Sequence, residues 1–169
     1  MRRYRKQAWK DRIHLGNQRR HGWIIYNGHL PISRFLEHAE WFQEAAKRKN
    51  ISTTIFKNSE LLTHLTGNTL DILKDIGEPL PDFAIFNDKD IYLARQLELL
   101  GVRVFNSSKV IDISDDKIAT YQMIAPKGFP IPETIIAPKT FQVSAPIDTA
   151  FTEMVIQKQG FPMVIKEAF

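Results

Sequence analysis

Four short apolar runs, each closed by turn-forming residues and spaced by segments of helical periodicity, leave this chain few ways to fold. The first, Gly22-Trp-Ile-Ile-Tyr-Asn-Gly28, reads as a buried strand. A helix is expected from Ser33 to about Lys49, because Phe35, Leu36, Ala39, Phe42, Ala45 and Ala46 recur at helical spacing. Glu37 and Glu40 stand early in it and Lys47, Arg48 and Lys49 late, which suits the helix dipole. Ser52 to Phe56 is a second strand, rich in Thr and Ile. Asp82-Phe-Ala-Ile-Phe86 is a third, ending in the polar cluster Asn87-Asp-Lys-Asp90. A helix from about Asp90 to Leu100 turns Leu93, Ala94, Leu97 and Leu100 inward and stops at Gly101, and Val102-Arg-Val-Phe105 follows as a fourth strand. Strands joined through helices by short links make a parallel sheet, since parallel neighbours need crossovers. Residues 22–107 are therefore expected to form a small open α/β domain.

Between the second and third strands the pattern is weaker. Asn58 and Ser59 suit the caps of a short helix at Glu60 to His64, Thr66-Gly-Asn-Thr69 breaks it, and Leu70 to Lys74 fits strand and helix equally. After residue 107 the texture changes. Lys109 to Ile113 and Asp116 to Ala125 read as two short helices, Gly128 to Pro132 as a stiff turn, and Thr134 to Ile136 as extended. A loop from Pro138 to Pro146 precedes a helix from Thr149 to Gln159, which Gly160 ends, and Pro162-Met-Val-Ile-Lys166 reads as a last strand.

Charge is distributed unevenly. Met1 to Gly22 carries eight basic side chains against Asp11 alone, a local balance of +7; subtracting this from the net +4 leaves the rest of the chain at −3. A basic leader over residues 1–21 thus precedes a slightly acidic body, whereas a nucleic-acid domain would spread cations over its folded face. The leader reads as a solvated tail in preference to an RNA-binding arm, and nucleic acid is not an expected partner. The absence of cysteine excludes thiolate chemistry and disulfides and fits a reducing, cytoplasmic compartment. No stretch nears the roughly 20 apolar residues of a membrane span, and the five histidines show no metal-ligand spacing.

A parallel sheet collects its polar loops at the carboxyl ends of its strands, where open α/β folds bind ligands. Asn27 and Gly28 end the first strand, Asn87 and Asp88 the third, Asn106 and Ser107 the fourth. Each is also a good turn former by itself, so only their shared rim argues for a cleft, with Asn27, Asn87 and Asp88 nearest a substrate. No glycine-rich phosphate fingerprint follows the first strand, where the sequence is Asn27-Gly-His-Leu-Pro31.

The most specific string is Asn106-Ser107, then Asp116-Lys117, then Gly128-Phe-Pro-Ile-Pro-Glu-Thr134, then Gly160-Phe-Pro-Met-Val-Ile-Lys166. In this order and spacing it resembles the ATP-grasp superfamily, and within it the RimK-like carboxylate-amine ligases. The resemblance covers about residues 22–169. It implies a Rossmann-like preATP-grasp domain over 22–107, followed by the start of an α+β ATP-grasp domain over 108–169. It also implies ATP and magnesium as cofactors, and small carboxylate and amine substrates joined through an acylphosphate. Lys117 and Lys166 would be the lysines that approach the nucleotide phosphates, as flexible point charges can. The bland alternative makes Lys117 a solvated helix lysine and Lys166 a charge guarding a sheet edge.

The family's glycine-rich loop and its magnesium ligands are not matched, so no catalytic residue and no metal ligand is assigned, and this chain alone is expected to be inactive. An unfinished second domain would leave strand edges that invite homo-oligomer formation. Two competing readings are a non-catalytic α/β interaction module whose basic arm binds nucleic acid or an acidic partner, and a free-standing nucleotide-binding regulator.

Overall fold

The computed structural model describes residues 20–30, 33–74, 77, 79–139 and 149–167. The leader up to residue 19 and most of the Pro138 to Pro146 loop lie outside them. By its internal contacts the chain divides into two compact units, which meet between Asp112 and Ile113.

The first unit is built on strands β1 (His21–Tyr26), β2 (Ser52–Lys57), β5 (Phe83–Asn87) and β6 (Arg103–Phe105), all parallel in the order β2-β1-β5-β6. The α/β class and the parallel sheet read from the sequence are thus observed. β1 is central, and Trp23, Ile24 and Ile25 in it have no exposed surface. A strand buried on both faces needs a continuous apolar run, which Trp23-Ile-Ile-Tyr26 supplies. Period-two alternation then splits the core in two. Trp23, Ile25, Phe56, Ala84, Phe86 and Val104 pack with Leu93, Ala94 and Leu97 of helix α2 (Ile91–Leu99). Ile24, Tyr26, Ile55 and Ile85 pack on the other face with Phe35, Ala39 and Phe42 of helix α1 (Ser33–Arg48).

Both ends of α2 are specified locally. Asp90 caps it by accepting bonds from the Tyr92 and Leu93 amides at 3.1 and 3.0 Å. At its other end Gly101, at φ 90°, donates to the Glu98 carbonyl and Val102 donates to that of Leu97, both at 3.0 Å.

The segment between β2 and β5 corrects the sequence reading. The helix expected at Glu60 to His64 is absent; a single 3-10 turn at Asn58–Glu60 gives way to strand β3 (Leu62–Leu65), which pairs antiparallel with β4 (Leu70–Leu73). Leu70 to Lys74, which fitted both templates, is therefore largely strand. Two things override the local helix signal: a turn in which Thr66 Oγ1 bonds Thr69 Oγ1 at 2.7 Å, and the buried Gln96 of α2. Gln96 Nε2 donates to the His64 carbonyl at 3.0 Å and to the Asp71 carbonyl at 2.6 Å, pinning both strands of the hairpin.

Helix α3 (Ser108–Asp115) begins in the first unit, where Glu98 accepts from the Ser108 amide at 3.1 Å and from its hydroxyl at 2.6 Å. In the second unit Asp116 caps α4 (Lys117–Ile124), accepting from Ile118 and Ala119 at 2.7 and 3.1 Å. A turn ending at Gly128 (φ 79°), an irregular stretch and helix α5 (Thr149–Gln159) follow. Neither Thr134 to Ile136 nor Pro162 to Lys166 is a strand. A strand exists only where a neighbour takes its backbone groups, and no ladder partner stands beside either segment among the described residues. Val164 and Ile165 are 80% and 90% exposed.

Candidate functional site

The sheet reverses its order at β1, with β2 on one side and β5 on the other. Open parallel sheets bind ligands in the crevice at the carboxyl ends of the strands flanking such a reversal. The residues found there are Asn27 beyond β1, and Asn87 and Asp88 at the end of β5, as the sequence placed them. Asn27 Nδ2 donates to Asp88 Oδ1 at 3.0 Å, and the Lys89 amide donates to the same oxygen at 2.7 Å. Asn27 Oδ1 in turn accepts from the His29 amide at 2.9 Å. Asn58 Oδ1 accepts from the Gly28 amide at 3.1 Å, tying the end of β2 to the loop after β1. The crevice is thus framed by side chains from three successive strand ends. Asp88 Oδ2 is buried and has no hydrogen-bond partner among the described residues.

Next to this frame lies a cleft of about 480 Å³, bordered by His38 and Phe42 of α1, Ile85 and Asn87 of β5, and Phe105 and Asn106 at the end of β6. α1 packs on β1 and β2 and reaches Ile85 of β5, and Phe105 at the end of β6 is 52% exposed. His38 is held between rings, 4.9 Å from the Phe42 centroid and 6.1 Å from that of Trp41. Its Nδ1 lies 2.9 Å from Asn87 Nδ2. The pair sets an imidazole and a side-chain amide beside the apolar residues of the cleft. That is the make-up of a small-molecule site, a few oriented polar groups on a greasy wall.

Neither His38 nor Asn58 was read from the sequence as a site residue; Asn58 was read only as a helix cap. The only signal for His38 was its position four residues before Phe42 on the inner side of α1, which fits a packed histidine as well as a ligand-facing one.

The two lysines lie in the second unit. Lys117 opens α4 and is exposed, and Lys166 is exposed in the irregular segment after α5. Ser107, the second half of the Asn-Ser pair, begins α3: its hydroxyl accepts from the Val110 amide at 3.3 Å and its carbonyl from Ile111 at 3.0 Å. Asp116 likewise serves as a helix cap. Among the described residues no three His, Cys, Asp or Glu side chains gather as a magnesium site would need, so no step of metal chemistry is assigned to them. No described helix is long and apolar enough to cross a membrane.

No family model matches the chain. It is similar to the Glutamate--LysW ligase ArgX of Sulfurisphaera tokodaii, 33% identical over 108 residues that make up 57% of this chain and 35% of that enzyme. Its likeness to the enzyme of the same name from Sulfolobus acidocaldarius is 32% over an equal share. It is also 27% identical to the uncharacterized protein MG012 of Mycoplasma genitalium, over 150 residues that cover 86% of this chain and 50% of that protein. The chain thus spans about a third of the length of the two archaeal ligases and half that of the Mycoplasma protein. The similarity to two ligases is consistent with the carboxylate-amine ligase character that the motif order had implied.

Proposed function

We propose that this chain is the amino-terminal portion of an ATP-dependent carboxylate-amine ligase of the ATP-grasp superfamily, RimK-like in its motif order. Residues 22–107 are its preATP-grasp domain and 108–169 the start of its ATP-grasp domain. The observation that carries the reading is the 33% identity to an enzyme that joins glutamate to a partner, as its name states. The switch-point crevice supports it, since a preformed rim of Asn27, Asn87 and Asp88 is suited to orient a small amino acid. On this reading the substrate is glutamate or a close analogue and the product an amide.

In such a reaction a carboxylate oxygen attacks the terminal phosphorus of ATP, ADP leaves, and the amine nitrogen displaces phosphate from the resulting acylphosphate. Magnesium, when bound, supplies charge neutralisation on the phosphates. Within this chain, Lys117 and Lys166 are the cations proposed to approach the triphosphate, and the rim of the sheet holds the small substrate. Turnover is expected from a longer polypeptide, since the chain spans about a third of the length of the archaeal ligases it resembles. Incubating the purified chain with ATP, magnesium, L-glutamate and an amine tests this, with the polypeptide of the whole natural reading frame in parallel. Release of ADP with a new amide is expected from the latter only; amide formation by the 169-residue chain, or none by either, contradicts the proposal.

A further inference from the structure

Asp88 uses its two carboxylate oxygens unequally. Both of its hydrogen bonds, from the Asn27 side chain and from the Lys89 amide, fall on Oδ1. Oδ2 is buried and accepts nothing from the described residues. A carboxylate needs several donors when taken out of water, and a buried acceptor left unsatisfied costs about 1–3 kcal/mol, more when charged. The structural work at this turn is done by one oxygen, so the other is spare, and it sits at the reversal point of the sheet.

We infer that Asp88 is the anchor for the ammonium group of the small substrate, and this inference rests on the ligase reading above. The chemistry selects the ligand class. One free carboxylate oxygen in a frame of neutral amides suits a single cation with its own N–H donors; a divalent metal wants six or more oxygens. A primary ammonium carries three donors, and its charge-assisted bond to a carboxylate is roughly twice as strong as the neutral one from Asn27. Asn27, bonded to Oδ1, fixes the carboxylate and leaves Oδ2 for the ammonium. Asn87, the residue before Asp88, borders the cleft, which is left for the rest of the molecule, so on this inference an amino acid is read from its amine end.

Asp88→Asn tests this cleanly, because the variant keeps Oδ1 for both structural bonds and alters only the spare position. The measurement is a proton–nitrogen correlation NMR titration of the purified chain, followed at the Gly28, His29 and Lys89 amides. The probes are L-glutamate, glutarate (the same diacid without an amine) and n-butylammonium. L-glutamate and butylammonium are expected to shift these signals and glutarate to leave them unmoved. Asp88→Asn should weaken both amines about tenfold or more while its Lys89 signal and thermal midpoint stay close to wild type. Asn27→Ala, which removes the bond that fixes the carboxylate, should weaken both.

Equal response to glutarate and glutamate, indifference to Asp88→Asn, or silence toward both amines overturns the inference. A response to butylammonium without one to L-glutamate upholds the ammonium site and counts against the amino-acid reading. Normal amide formation by the whole reading frame carrying Asp88→Asn, with an unchanged KM for the amino acid, leaves the ligase proposal standing and overturns the anchor.

Discussion

Replacing Gly22 by alanine is the sharpest structural test of how the sheet shapes the cleft. Gly22 pairs with Phe83 across β1 and β5. A Cβ built on Gly22 would lie 2.3, 2.6 and 2.8 Å from three atoms of the Phe83 ring. Carbon atoms pack at about 3.5–4.0 Å, so the ring must retreat by more than 1 Å. Phe83 also borders the cleft, so its displacement changes the cleft wall. Overpacking of this kind costs about 1–3 kcal/mol. Urea unfolding followed by circular dichroism should therefore show a lower midpoint for Gly22→Ala at unchanged slope. In a Phe83→Leu background, where the ring is gone, the same substitution should cost less than about 0.5 kcal/mol, giving a coupling energy of at least about 0.5 kcal/mol. A Gly22→Ala protein as stable as wild type, or a cost that is the same with and without the ring, would refute the packing argument.

Other positions give independent checks. Asp90→Ala removes the double cap of α2 and should cost about 0.5–2 kcal/mol in chemical denaturation; Asp90→Asn should recover most of it. Leu97→Ala empties a fully buried core position and is expected to lose about 2–5 kcal/mol, against well under 1 kcal/mol for the exposed Leu99. Gln96→Leu strips the His64 and Asp71 carbonyls of their shared donor. Amide exchange should then quicken in β3 and β4 ahead of β1, and equal protection in both regions would show that the hairpin holds without it.

What the sequence disclosed follows the range of the forces involved. The strands around Ile24, Ile55, Ile85 and Val104 were legible because each buries its own apolar run, and a parallel arrangement follows from the helices between them. The rim of Asn27, Asn87 and Asp88 was legible for the same reason, since sheet order brings strand ends together whatever their side chains do. The β3–β4 hairpin was hidden because Leu62-Thr-His-Leu65 has little buried surface of its own and owes its form to a turn and to a glutamine about thirty residues away. The expected strand at Pro162 to Lys166 has the composition of a strand but no ladder to join among the described residues. Likewise the pairing of His38 with Asn87, and the division of labour between the two oxygens of Asp88, are properties of distance that no local pattern encodes.

The account stands most directly on whether this polypeptide belongs to an enzyme that makes amides at the expense of ATP. Mass spectrometry of reactions run with the whole reading frame, ATP, magnesium and L-glutamate, paired with an ADP assay, measures it. One amide per ADP, formed only when an amine acceptor is present, is the predicted result. ADP release that ignores both glutamate and amine, or nucleotide turnover with no new carbon–nitrogen bond, would contradict it.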